Sequence, residues 1–178
     1  MITVYCGPMF SGKTEHLIAA ATKDLANFAL AFKPRIDKRY ASDAIVSHTG
    51  RRLPCNAIDT AGDILHAVKD LPTVSLVAID EAQFFGAALL PVLQELNDRH
   101  VDVHVSGLDL DANRLPFGVM GEVLAMADRV VKLESSCAVC GSPARYSKRV
   151  VGGGARVLVG GKNEYQARCA LCWEDADA

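Results

Sequence analysis

The segment GPMFSGKT at residues 7–14 constrains this chain more than any other feature. It fits G-x-x-x-x-G-K-[ST] completely, and it sits between the strand-like run ITVYC and a stretch with helical period. Strand, tight turn and helix N-terminus must therefore follow one another there. Gly7 and Gly12 let the backbone curl around the intervening Pro8-Met9-Phe10-Ser11 stretch, so that its N–H groups, which Pro8 lacks, face phosphate oxygens. The helix N-terminus adds positive potential. Lys13 is placed to reach β and γ phosphates, and Thr14 offers its hydroxyl to Mg²⁺, a hard cation that prefers oxygen.

Around this motif, apolar β-branched runs alternate with helix-period segments, which predicts an α/β fold: a mostly parallel, P-loop-type sheet flanked by helices. The expected helices cover residues 14–28, 61–71, 86–100 and 118–128. The expected strands are ITVYC, LAFKP, VSLVAID, VDVHVSGLD and VVKLE. Residues 35–57 mix charges with Ser, Gly50 and Pro54 without clear period, which predicts a long loop holding one short strand, with His48 in the loop.

A phosphate loop needs an acid at the end of another buried strand. VSLVAIDEAQFF supplies Asp80 with Glu81 beside it. Neighbours at a strand end point in different directions, so Asp80 is free to orient the metal while Glu81 faces an acceptor hydroxyl and takes its proton. The bland alternative is a solvated strand-end turn. Phe85 is expected in the core, as is Cys6.

At Ser135 and Ser136 the pattern changes. Residues 1–135 read as the α/β domain, and residues 136–178 as a zinc-binding domain built on short strands, ARYSKRV and RVLVG, around glycine clusters. Cys137-x-x-Cys140 and Cys169-x-x-Cys172 are 28 residues apart. In a chain without export signals such cysteines stay reduced, and four thiolates suit tetrahedral Zn²⁺ with no open position, hence a structural metal. Redox-active CxxC pairs are the competing idea.

Charge sharpens the division. Between Cys137 and Cys172 lie Arg145, Lys148, Arg149, Arg156, Lys162 and Arg168 against the single acid Glu164, whereas the preceding residues are net acidic. This excess fits a solvated face. The whole chain of 178 residues carries a net charge of -2, which argues against coating nucleic acid or an anionic membrane. No apolar run approaches bilayer length and MITVYCGPMF has no signal-peptide pattern, so a cytoplasmic location is expected. A nucleic-acid-dependent ATPase whose basic zinc module grips a strand remains a rival, although that module has few interleaved aromatics. A nucleotide switch lacks an evident guanine-reading signature.

Taken together, PMFSGKT, DKRY at residues 37–40, IDEAQFF, GLD followed by LPFG, and paired CxxC motifs with GGKNEY between them resemble the zinc-containing (type II) thymidine kinases almost end to end. The resemblance implies ATP-dependent phosphorylation of thymidine at its 5′-hydroxyl by a homotetramer that dTTP inhibits. It implies Glu81 as catalytic base, Lys13, Thr14 and Asp80 at phosphate and Mg²⁺ positions, and Arg39 as a phosphate clamp. Phe84, Phe117 and Tyr165 match aromatic positions lining the base pocket. Val157, Leu158, Val159 and Gly160 fall in the lasso-like segment, residues 157–165, that closes over the nucleoside and is held by the zinc. The stretch 110–113 and the run VVGGGAR depart mildly from the family pattern.

Overall fold

The computed structural model describes residues 1–23, 28–37, 41, 43–69, 71, 73–151 and 160–174. Strand β1 (Ile2–Cys6) is buried along its whole length. It pairs in parallel with β7 (Asp102–Gly107) on one side and β8 (Arg129–Lys132) on the other. Next to β7 comes β6 (Val74–Ile79), then β2 (Phe28–Pro34), and β5 (Asn56–Ile58) closes the far edge. The sheet thus runs β5-β2-β6-β7-β1-β8 with every neighbour parallel.

Parallel neighbours need crossover connections, and these carry the helices to both faces. The strand period of two divides the core between them. Along β6, Leu76 and Ala78 join Tyr5 and the Leu17, Ile18 and Ala21 face of α1 (Lys13–Thr22). Val77 and Ile79 point the other way, to α2 (Gly62–Lys69), α3 (Leu89–Asp98) and α4 (Met120–Met126). Helix α3 buries Leu89, Val92, Leu93 and Leu96, the i, i+3, i+4, i+7 stripe of an amphipathic helix. Pro91 falls in its first turn, where no intrahelical N–H bond is lost. Phe85 and Cys6 lie in this core as expected.

Three expectations need correcting. Helix α1 stops at Thr22, whose hydroxyl donates to the Ile18 carbonyl at 2.7 Å, because Phe28 and Ala29 are already paired with Val74 and Leu76. The parallel ladder outweighs helical period there. Helix α3 starts later than expected, behind a 3-10 turn at Gly86–Ala88. Residues 35–57 hold two short strands, β3 (Ala44–Val46) and β4 (Arg52–Pro54), which pair antiparallel, and they run on into β5. Three-residue strands are too short for alternation to reveal. His48 does lie in the turn between β3 and β4.

After β8 the structure changes character. Strand β9 (Ser135–Ser136) pairs with β10 (Pro143–Ala144), and β11 (Tyr146–Arg149) pairs with β12 (Tyr165–Arg168), before a short α5 (Ala170–Glu174). The run ARYSKRV is split between β10 and β11, while β12 and α5 have no counterpart in the sequence expectations. Of RVLVG only Gly160 lies inside the described residues. Among the described residues its apolar cluster is Cys137, Ala144 and Ala167, with Phe10 of the glycine-rich turn against them.

Candidate active site

The carboxyl ends of β1, β2, β6 and β7 open on one side of the sheet, where open α/β sheets bind ligands. Out of β1 comes the turn at residues 7–12. Gly7 has φ +138°, and a Cβ there would stand 2.3 Å from the Leu133 carbonyl oxygen, so only glycine fits. Phe10 and Gly12 are also left-handed, and Lys13 is 9% exposed with its ammonium donating to the Pro8 carbonyl at 2.6 Å. The cation is held across the curl of the loop, above the N-terminus of α1.

Opposite stand the two acids that follow β6. Asp80 is buried; it accepts from the Ser106 hydroxyl, from Thr14 Oγ1 at 3.4 Å and from the Glu81 backbone N–H at 3.0 Å. The hydroxyl of the phosphate-loop threonine and the strand-end carboxylate therefore share one spot, an all-oxygen pair suited to Mg²⁺. Glu81 has φ 52° and ψ 43°, a left-handed conformation uncommon outside glycine and characteristic of functional turns. Gln83 Nε2 donates to Glu81 Oε2 at 2.5 Å.

Lys13, Thr14, Asp80 and Glu81, with Met9, Phe10 and Gly12, line a cavity of about 240 Å³ whose other wall includes Lys33, Asp37 and residues 45–49. Beside it, Met9, Phe10 and His48 share a second cavity of about 360 Å³ with residues 160–164. The Phe10 and His48 rings lie 5.1 Å apart. Tyr165 is buried at the start of β12, directly after that second cavity's Glu164. Phe84 and Phe117 meet edge to face at 5.7 Å, both half-buried. Arg39, Val157, Leu158 and Val159 lie outside the described residues.

The cysteine pairs converge. The Sγ atoms of Cys137, Cys140, Cys169 and Cys172 all lie within 4.8 Å of one another, and Cys140 and Cys169 are 3.7 Å apart. A tetrahedron with Zn–S bonds of about 2.3 Å has edges of about 3.8 Å. Hydrogen bonding favours a thiolate at Cys137: burial pushes its pKa up, but backbone groups of Cys140, Cys169 and Val139 outweigh it and bring it to about 6. The neighbouring Cys169 and Cys140 push Cys172 up to about 12. A divalent cation among the four removes that conflict. These residues fit a closed zinc site. By contrast, burial raises both Cys6 and Cys55 to about 11, which disfavours a thiolate at either.

Two comparisons with known proteins bear on this arrangement. The family model described as thymidine kinase matches residues 1–173. The thymidine kinase of Deinococcus radiodurans is 43% identical over 184 residues, covering 93% of this chain and 86% of the relative. That of Deinococcus deserti is 42% identical, covering 96% and 92%. The chain belongs to the thymidine kinase family.

For a thymidine kinase, the geometry adds two residues that the sequence reading passed over. Gln83 is 4% exposed, and besides holding Glu81 it accepts the Leu108 backbone N–H at 3.1 Å, so it ties the acid to the end of β7. Ser106, fully buried on β7, orients Asp80. Their side chains look like ordinary polar residues in sequence. The adjacency of β6 and β7 brings Ser106 to Asp80 and Leu108 to Gln83, whereas Gln83 reaches Glu81 from within the same turn. Among the described residues, no helix is long and apolar enough to cross a membrane.

Proposed function

We propose that this enzyme transfers the γ-phosphoryl group of ATP to the 5′-hydroxyl of thymidine, with Glu81 as general base. The observation that carries the reading is the convergence of Lys13 and Thr14 with Asp80 and Glu81 on one cavity. The glycine-rich turn cradles the triphosphate, and Lys13 neutralises charge on the β and γ phosphates. Mg²⁺, held by Thr14 and Asp80, supplies further neutralisation and orientation when bound. Glu81 takes the hydroxyl proton as the O5′–P bond forms, the bond to the β-phosphate oxygen breaks, and ADP and thymidine monophosphate leave. Gln83 holds the carboxylate in place, and Arg39 clamps the transferring phosphates.

Phe84, Phe117 and Tyr165 flank the base in this reading, and the backbone of residues 157–165 reads its edge. Glycines in VLVGGKNEY permit close approach, and few of its side chains suit base recognition. Thymine has a donor at N3 where cytosine has an acceptor, so a backbone carbonyl pairs with the first and is left unsatisfied by the second. Such a mismatch costs about 1 to 3 kcal/mol per buried group. Structural Zn²⁺ on Cys137, Cys140, Cys169 and Cys172 holds the ends of this segment, in a zinc domain at residues 136–178 set beside the α/β domain at 1–135. The homotetramer, inhibition by dTTP and the cytoplasmic location follow the family resemblance.

The test is a nucleoside panel with ATP and Mg²⁺, products identified by mass. Thymidine is expected best, deoxyuridine lower by roughly ten-fold to a few hundred-fold in kcat/KM for the lost methyl contact, and deoxycytidine essentially inert. Comparable turnover of deoxycytidine sinks the account of base selection. ATP hydrolysis that needs DNA and no nucleoside sinks the kinase reading.

A further inference from the structure

The loop joining β7 to α4 meets the cysteine-bearing segment through Arg114. Its guanidinium carbon lies 4.3 Å from the Tyr146 ring centroid and 5.0 Å from that of Trp173, and Nη1 is 3.1 Å from Glu174 Oε1. All three partners belong to β11 and α5. Arg114 also has φ +65°, a left-handed backbone that a side chain of this size adopts only where its surroundings hold it.

That loop is one stiff piece. Asp111 Oδ1 accepts the N–H groups of Asn113 and Leu115 at 2.9 and 3.0 Å, and the Asp109 carbonyl accepts the Phe117 N–H at 3.0 Å. At its far end Gly118 has φ +54°, and a Cβ there would stand 2.4 Å from the Gln83 carbonyl oxygen. The loop is thereby seated on the turn that carries Phe84, with the Phe117 ring edge-on to it. One end grips the cysteine-held segment while the other forms the aromatic pair.

We propose that Arg114 is a positioning residue for the nucleoside: it docks the cysteine-held segment onto this loop and so fixes Phe117 against Phe84. The pocket half of this inference rests on the reading of Phe84 and Phe117 as walls of the base site. Most of what Arg114 itself contributes comes from the cation over the two rings, each contact being worth several-fold. The ion pair adds little, since the Glu174 side chain is 69% exposed. Glu81 is held from the root of the loop rather than from its docking end. Its partner Gln83 is tied to Leu108 at the root of the loop, where the buried Asp109 meets Lys132 at 2.9 Å. Loosening Arg114 should therefore alter nucleoside binding and leave proton acceptance alone.

Trp173 is the single tryptophan, so its emission reports docking without any substrate. In the zinc-loaded full chain, Arg114→Met is expected to shift that emission with zinc retained. It should raise KM for thymidine by roughly three- to thirty-fold, with KM for ATP and kcat within about two-fold. Arg114→Lys, which keeps a cation over the rings, should recover part of the loss, and Glu174→Gln should do almost nothing. Emission unchanged in Arg114→Met overturns the clamp. A shifted emission with thymidine KM unchanged, in a protein where Phe117→Ala does raise that KM, overturns its link to the pocket. Thymidine KM unchanged in Phe117→Ala overturns the pocket reading instead, and Trp173 emission alone then decides whether Arg114 docks the segment. Equal rises in both KM values, or a fall in kcat, assign Arg114 to general stability and overturn the proposal.

Discussion

The six-stranded sheet and the cysteine-bearing segment that follows it are held together by different physics. The sheet buries a continuous apolar core on both faces, and each fully buried Leu, Ile or Val there contributes about 1.5 to 3 kcal/mol. Among the described residues, the segment from β9 to α5 buries only Cys137, Ala144, Tyr165 and Ala167 as apolar side chains, with two-stranded ladders of two and four residue pairs. Ladders that short are not stable by themselves in water. The sheet explains its own order, whereas the segment needs cross-linking by its thiols and docking through Met9, whose N–H donates to Ser147 at 2.9 Å, and through Arg114. The groups proposed for catalysis, Lys13, Thr14, Asp80 and Glu81, stand on the first region. The residues proposed to close over the nucleoside belong to the second.

Removing the metal is the largest perturbation that separates the two regions. Zinc binding supplies on the order of 10 kcal/mol of folding free energy in isolated metal-dependent peptides. Chelation should therefore abolish hydrogen-exchange protection in β9 to α5 and leave β1, β6 and β7 protected. Native mass measurement should find one zinc per chain beforehand and none afterwards. Simultaneous loss of protection in β1, β6 and β7 would erase the distinction between the regions.

Glu81→Gln probes chemistry with both regions intact. The amide keeps the shape and accepts no proton, so kcat should fall by two to four decades with nucleotide and nucleoside binding retained. Gln83 Nε2 can still donate to the new amide oxygen, which keeps the side chain in place. Wild-type kcat in this variant would remove Glu81 from the role of base.

How legible these features were differs between the two regions as well. The order of strands and helices in the sheet follows from period, because Val74–Ile79 and Leu89–Asp98 are long enough to show it. The phosphate loop and the Asp80-Glu81 pair are local in sequence, and so are the CxxC pairs. What could not be read depends on contacts between distant residues. Ser106 meets Asp80, and Leu108 meets Gln83, because β6 and β7 are neighbours, and Arg114 matters because its loop meets β11 and α5. Strand β12 and helix α5 are only four and five residues long, and they take shape from antiparallel pairing and the cysteines rather than from pattern.

Within the sheet region, Leu93→Ala should act on the core alone. Leu93 is fully buried on α3, and deletion of a buried leucine side chain costs about 2 to 5 kcal/mol. The urea midpoint of the sheet should fall at unchanged m-value, while zinc content stays at one per chain. Zinc lost in parallel would mean that the segment borrows its stability from this core, contrary to the separation drawn above.

The smallest expected effect is a pH dependence that belongs to the sheet. His104 on β7 stacks on Tyr5 at 5.9 Å between centroids, and its Nδ1 lies 3.1 Å from the Tyr5 hydroxyl. Burial is the main reason its pKa sits below the ordinary value of 6.5, with the N-terminal ammonium and Arg129 acting in the same direction and Asp102 against it. The unfolded chain thus binds this proton more tightly than the folded one. Stability from this group is fully present above pH 6.5 and is lost as pH falls from there through the lower folded value. His104→Gln keeps a polar side chain near Tyr5 and removes the titration, so its stability should fall less steeply between about pH 7 and 5 than that of the wild type. Thiolate protonation at the cysteines also acts in acid, but it unfolds β9 to α5 and releases zinc. Unfolding of the sheet should therefore be followed by far-UV circular dichroism in zinc-free protein, where only the first process contributes. A slope as steep in His104→Gln as in the wild type would show that the sheet's acid sensitivity resides elsewhere.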